Sequence, residues 1–250
     1  MTRVVERVLA LMECFDEERP SLALHEIAAR AGLPKTTAFR LLQSLLDTGY
    51  VVQLGNQDYC LSHKLMRLAS IAQRTFSIRD IARPAMLEAL AATRETVELS
   101  ILSGTLRVCV EVMESLHPLK SIISPGETLE LTAGASGKLL LAYSEPDFVE
   151  QALAASKRTV NRKALAAEMK KIRAEGYAHS HGERVEGAEA ISVPLHDHLG
   201  RVRYCLTLTG PSFRIAPRKQ KLVLVMIEAG IKISRSLGAP QARKVTTDAA

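Results

Sequence analysis

The sequence predicts an α+β chain with a small helical domain ending in a two-stranded ribbon, then a larger domain with a mostly antiparallel sheet. Three observations predict it. The first sixty or so residues hold three short helical periodicities followed by a strand–turn–strand pattern. The rest of the chain puts strand-like runs at both ends of its span and helical patterns between, which favours α+β. At 250 residues, 47% apolar and 24% charged, the chain suits one large or two modest domains and neither disorder nor a coiled-coil rod.

The elements follow in order. Val5, Val8, Leu9 and Met12 recur at helical spacing, so a helix is expected over 4–15 with those four inward. Glu13 to Glu18, an acidic cluster, and Pro20 end it. A second helix is expected over 24–31, with Ile27, Ala28 and Ala31 inward. Gly32 suits the left-handed backbone of a tight turn, and Leu33-Pro34 opens a third helix over 35–48. Its inward stripe is Ala38, Leu41, Leu42, Leu45 and Leu46. Its other face carries Lys35, Thr36, Thr37, Arg40, Gln43 and Ser44. Gly49 stops it. Tyr50-Val51-Val52 and Tyr59-Cys60-Leu61 flank a polar stretch around Asn56, which reads as a β-hairpin.

Three short helices, a tight glycine turn and a ribbon make a winged helix-turn-helix. The third helix places small hydroxyls and long bases on its first two turns, the part that enters a major groove. Arg40 can fork onto guanine O6 and N7, and Thr36 and Thr37 can meet phosphate, base edges or a thymine methyl. Lys35 suits a phosphate. A three-helix bundle with a solvated polar face has the same pattern. Residues 1–62 carry six bases against eight acids, a net −2, whereas 63–83 carry five bases and one acid. DNA binding by the first segment therefore requires its few free bases to be focused on one edge.

Composition narrows the partners. Without Trp and with 4% aromatics, the chain lacks the ring platforms that stack single-stranded bases. Cys14, Cys60, Cys109 and Cys205 are far apart, which suggests neither a disulfide framework nor a Cys-rich zinc site and fits a reducing cytoplasm. Glu6 and Arg7 interrupt any apolar signal-peptide core, and no apolar run approaches the ~18 residues that span a bilayer. No membrane partner and no cofactor are expected.

The segments RVLALMECF, LALHEIAARAGLPKTTAFRLLQSLLDTGYV and YCLSHKLMRLA resemble the N-terminal domain of the IclR family of bacterial transcription regulators. The specific signal is the combination of Glu26-Ile27-Ala28, Gly32-Leu33-Pro34-Lys35-Thr36-Thr37, Arg40-Leu41-Leu42 and Gly49-Tyr50-Val51. The resemblance implies a winged helix-turn-helix DNA-binding domain over 1–62 and a linker helix over 63–80. Leu65, Leu68, Ala69 and Ala72 there have helical spacing, with Lys64, Arg67 and Arg74 outside. That pattern alone also fits a connecting helix with a solvated basic face.

Beyond the linker, a helix opened by Pro84 is expected over 83–95. Strands are expected over 96–102, 106–113 and 119–123, then a short apolar helix over 136–143. Ser144 would cap the next helix near Pro146, and Gly176 would stop an amphipathic helix over 162–175. Strands over 190–195 and 201–209, joined by a turn at 197–200, precede a long helix over 218–237. Residues 239–250 read as a flexible tail. ETLELTAGASGKLLLAY, ERVEGAEAISVPLHD and RVRYCLTLTGPSFRI resemble the IclR-family effector-binding domain, whose fold is GAF-like, here over 81–238.

Ala135, Ser136 and Gly137 open a helix after a strand, and free amides at a helix start favour an anion. The same glycine-rich start also serves as a tight turn. The resemblance implies that these amides hold a small carboxylic acid. By the same implication Thr207 and Thr209, two apart and so on one strand face, complete the ring with Ser180 and Ala190. Ordinary strand propensity explains the threonines equally well. Some family members have an acid and a Cys at the last two positions; Ser180 and Ala190 leave more room and less polarity, which points to a larger aromatic or keto acid. His179 with His181, and His196 with His198, have metal-ligand spacing, but polar turns place histidines the same way. No Walker, dinucleotide or GxSxG motif is present.

The resemblance thus implies a ligand-responsive regulator, repressor or activator, that binds palindromic double-stranded operator DNA as a homodimer or dimer of dimers. The competing expectation is an enzyme acting on a small organic acid, with the first sixty residues serving oligomerisation.

Overall fold

The structure, a computed structural model, describes residues 3–16, 18–75 and 77–240. Most of the tail expected at 239–250 lies outside the described residues, as do the side chains of 72–75, Arg74 among them. The chain divides into two compact units, Met1–Phe76 and Ser77–Ala250. Among the described residues no helix is long and apolar enough to cross a membrane.

The first unit runs α1 (Arg3–Met12), β1 (Ser21–Leu22), α2 (Leu24–Arg30), α3 (Lys35–Asp47), β2 (Val51–Gln53), β3 (Tyr59–Leu61) and α4 (Lys64–Thr75). β2 and β3 form the expected hairpin, and β1, which the sequence did not suggest, joins β3 to make a three-stranded antiparallel sheet in the order β1-β3-β2. Leu11, Leu22, Ile27, Ala38, Leu42, Val51 and Tyr59 form the core. Gly32 has φ +63°, the left-handed turn that only glycine takes freely between α2 and α3.

The expected inward stripe of α1 needs correction. Leu11 is fully buried, Val8 and Met12 pack partly, and Val5 and Leu9 are about half exposed. Arg3, Glu6 and Arg7 mark one polar face, but the apolar arc opposite is wider than the chain covers, so the neighbouring helices choose which part of it is buried. The apolar stripe of α4 also stays uncovered by its own chain. Leu65 is half-buried, and Met66, Leu68 and Ala69 are exposed.

The second unit runs α5 (Ile78–Thr93), β4 (Thr96–Ser103), β5 (Leu106–Met113), β6 (Thr128–Glu130), α6 (Ala135–Ala142), α7 (Pro146–Ala155), α8 (Arg162–Glu175), β7 (Ala178–His181), β8 (Ala188–His196), β9 (Val202–Pro211), α9 (Ser212–Ile215), a 3-10 turn (Ala216–Arg218) and α10 (Lys219–Ser236). Its six strands pair in the order β6-β5-β4-β9-β8-β7, and every pair is antiparallel. α5 and α10 cover one face through Met86, Leu99, Leu206, Leu208 and Met226. α6, α7 and α8 cover the other through Leu139, Leu140, Ala152, Leu165 and Cys205.

Several expected boundaries move. The helix placed at 83–95 starts at Ile78, where Ser77 and Asp80 form a capping box, and Pro84 lies inside it. The linker helix placed at 63–80 therefore stops at Thr75. Residues 119–123 form no strand; the edge is Thr128–Glu130. Ser144 does not cap α7, because its hydroxyl donates to the Leu140 carbonyl and Glu145 takes the cap position. β7, expected as loop, is a strand whose Ala-His-Ser-His sequence lacks β-branched residues.

Candidate functional site

α3 begins the first of two candidate surfaces. Lys35, Thr36, Arg40 and Ser44 are exposed and Thr37 and Gln43 half-buried, while Ala38, Leu42 and Leu45 hold the helix from below. No side chain caps the first turn behind Pro34, so the helix start offers amides to an anion. Ser44 differs from the others: its hydroxyl donates to the Arg40 carbonyl at 3.2 Å, within its own helix. The sequence also passed over Phe39, which stands 45% exposed beside Arg40.

The negative balance of this unit is handled by pairing. Arg19 pairs with Glu26, and Arg30 pairs with Asp16 at 3.1 Å and donates to the Cys14 carbonyl at 2.7 Å. Lys64 donates to the Thr48 carbonyl at the end of α3 and lies over the Tyr50 ring. Among the described residues neither Lys35 nor Arg40 has an ion-pair partner. Lys35 and Arg40 therefore put two free cations on the exposed side of α3, and Arg3, Arg7 and Arg67 likewise have no ion-pair partner among the described residues.

The second candidate surface is the sheet face under α6. α6 is buried along its whole length, as an apolar helix must be. A Cβ on Gly137 would fall 2.6 Å from the Leu131 carbonyl, so this glycine serves close helix packing. Register brings the selected strand residues into line: Ser180 opposes Ala190, which opposes Thr209. In the next row Ala178 opposes Ser192, Ser192 opposes Thr207, and Thr207 opposes Glu98. The Ser180 hydroxyl accepts from the Ala135 amide at 3.1 Å, which ties the row to the start of α6. Ser192 and Thr207 share a hydrogen bond of 2.9 Å between buried hydroxyls. Thr209 Oγ1 is buried without a partner.

Not all the helix-start amides are free. Gly134 N donates to Glu183 Oε2 at 2.9 Å, and the other oxygen of Glu183 takes the buried Lys138 ammonium at 2.5 Å. Two groups of the chain therefore occupy the amides of Gly134 and Ala135, and those of Ser136 and Gly137 follow them along the first turn.

The sequence missed the charges on this face. Arg107 and Glu98 have side chains 1% and 2% exposed. Arg107 donates to the Ser100 hydroxyl at 2.7 Å and lies 3.6 Å from Glu98 Oε2. Burial pushes the Glu98 carboxyl up and the Arg107 charge pulls it back. Arg184 lies against Gly134 and donates to Glu127; burial, then the like charge of Arg107, hold it below the usual guanidinium range. The lower polarity expected from Ser180 and Ala190 is therefore reversed two residues along the strands. No local signal marks them: charges that alternate with apolar residues along a strand read as solvent-facing, and the layer that covers them is built by α6, α7 and α8.

The histidine pairs are engaged otherwise. His179 and His181 lie on β7, and both bond the buried Glu189, at 3.2 and 2.9 Å. His196 Nδ1 contacts the Gly200 carbonyl, and its ring meets Tyr143 edge-on. Among the described residues no cluster of three metal-ligating side chains occurs.

Comparison with known proteins identifies both units. Residues 4–55 match the IclR helix-turn-helix domain, and 71–235 match the C-terminal domain of the bacterial transcriptional regulator IclR. The transcriptional regulator KdgR of Escherichia coli K12 is 30% identical over 243 residues, which is 94% of this chain and 92% of KdgR. The solved structure of a candidate IclR regulator from Silicibacter sp. TM1040 is 28% identical, covers 94% of this chain and 96% of that one, and superimposes with a TM-score of 0.88. An IclR homolog from Microbacterium hydrocarbonoxydans, solved in complex with 4-hydroxybenzoate, shares the fold at 23% identity and a TM-score of 0.58, over 94% of this chain and 98% of its own. The family and these relatives are regulators, so the enzyme reading falls away. The chain belongs to the IclR family and is a transcriptional regulator with an N-terminal helix-turn-helix DNA-binding domain and a C-terminal effector domain.

Proposed function

We propose that this regulator reads a palindromic operator in the cytoplasm, with α3 in the major groove. Residues 1–62 form the reading head, 63–80 the connection and 81–238 the effector domain. The observation that supports the reading is the pair of exposed cations without ion-pair partners, Lys35 and Arg40, on a helix whose first turn no side chain caps. Arg40 and Thr36 read base edges, and Lys35, Thr37, Gln43 and Ser44 set the helix against backbone and groove wall. A second copy is needed to read two half-sites. The exposed apolar residues Val4, Val5 and Leu9 of α1, and Met66 and Leu68 of α4, support a homodimer, and a dimer of dimers extends it.

The effector is a small carboxylic acid held by the start of α6, at Ala135, Ser136 and Gly137, and by the strand face of Ser180, Ala190, Thr207 and Thr209. It acts by binding one arrangement of the reading heads more tightly than another. Fluorescence anisotropy with DNA from upstream of the protein's own gene tests the first part. Affinity is expected to fall steeply with salt and to exceed that for scrambled DNA by at least ~10³-fold. Equal affinity for both duplexes overturns it.

A further inference from the structure

Burying a carboxylate oxygen away from water without a hydrogen bond is expensive, and native structures rarely leave one so. Glu98 Oε2 is in that position: its side chain is 2% exposed, and the oxygen has no hydrogen-bond partner. The Arg107 guanidinium is the adjacent charge, but at 3.6 Å it stands too far to donate to that oxygen and gives its hydrogen bond to Ser100 instead. A second orphan lies on the same sheet face, Thr209 Oγ1. Thr209 belongs to the row tied to the start of α6 through Ser180 and the Ala135 amide; Glu98 belongs to the next row, opposite Thr207.

The two orphans therefore mark a line across the sheet. It runs from the helix start, past Thr209, to Glu98 on the neighbouring strand β4. Rows of one face are two residues apart, or roughly 6–7 Å along a strand. A molecule anchored by a carboxylate near α6 meets Glu98 with a group several bonds away.

We propose that Glu98 is a specificity-determining residue of the effector site, and that the effector is a hydroxy acid whose hydroxyl, remote from its carboxylate, hydrogen-bonds Glu98 Oε2. This rests on the carboxylate reading given above. A hydroxyl fits either protonation state of the Glu98 carboxyl, because it both donates and accepts. A second carboxylate on the effector fits only the protonated form, since it meets like charge at an ionised Glu98. An apolar group leaves the oxygen unpaired. Arg107 acts through Glu98: with Ser100 it fixes the carboxyl's position and offsets its charge.

Matched pairs test the proposal on the full-length protein: 4-hydroxybenzoate against benzoate, and 4-hydroxybutyrate against butyrate, each titrated calorimetrically. In at least one pair the hydroxy acid is expected to bind roughly ten-fold or more tightly, the worth of a hydrogen bond to a charged group. Glu98→Met is expected to bring the two acids of that pair together, and Glu98→Gln, which keeps a polar oxygen, to restore part of the difference. Thermal melting reports whether each variant is folded; the wild-type comparison stands without them. If acids bind but the hydroxyl changes nothing, the role of Glu98 is overturned and the carboxylate site stands. If none of the four acids binds at millimolar concentration, the carboxylate reading falls, and this one with it.

Discussion

In the N-terminal unit the candidate cations stand in water, while in the C-terminal unit the charges of the candidate face are sealed inside. Arg40 is exposed with no ion-pair partner, whereas Arg107 is 1% exposed beside a carboxylate. The first arrangement costs little in stability and leaves the charge free for a polyanion, at the price of strong screening by salt. The second is costly to build, because both charges lose hydration, but it yields donors and acceptors in fixed positions. One chain thus holds Arg in two ways: an exposed guanidinium stays open to a partner in solution, and a buried one is fixed among the side chains of a covered sheet face.

Breaking the contrast at its costly end should give the largest effect. Arg107→Ala leaves Glu98 buried without its counter-charge and is expected to lower the stability of the C-terminal unit by about 3–5 kcal/mol in urea unfolding. A loss under ~1 kcal/mol would show that the pair is hydrated and the contrast false. At the exposed end, Arg40→Ala is expected to cost ~1–3 kcal/mol at the operator and to relax base choice, with melting unchanged. Unaltered affinity in a titration of operator DNA removes Arg40 as a reader. Lys35→Ala should weaken all sequences alike and reduce the slope of log affinity against log salt by about 1; a sequence-selective loss would reassign it to base contact.

Smaller effects sharpen the picture of the sheet face. Thr207→Val breaks the 2.9 Å bond to Ser192 and is expected to cost about 1 kcal/mol of stability. It should also weaken the effector response while operator binding without effector persists; loss of both reports misfolding. Finally, burial pushes the Cys109 thiol up to about 12 and the Cys205 thiol up to about 11. Both should stay protonated and resist a thiol reagent at pH 8 until the unit unfolds, while half-buried Cys60 reacts first. Rapid labelling of Cys109 in the folded protein would place water beneath α6.

The N-terminal elements were legible because local chemistry fixes them. Gly32 admits the turn, Pro34 opens α3, and Ala38, Leu42 and Leu45 commit one face to the core, so Lys35, Thr36 and Arg40 face out as expected. The buried part of α1 was less legible, since its apolar arc holds both Leu9 and Leu11 and only its neighbours select Leu11. The candidate ligand face was half legible. Glycine at the start of α6 and threonines two apart on β9 carry local signals, whereas Glu98 and Arg107 alternate along their strands as solvent-facing charges would.

From sequence alone came the two kinds of unit, the exposed polar face of α3 and the small-residue start of α6, because turns, caps and periodicities act over a few residues. Only the tertiary structure decided which charges are buried. That depends on α6, α7 and α8 covering a sheet face whose strands come from residues 96–113, 128–130 and 178–211, far apart in the chain. Strand pairing aligns Glu98 with Thr207, and helix packing takes Arg107 out of water; both are properties of distant segments meeting.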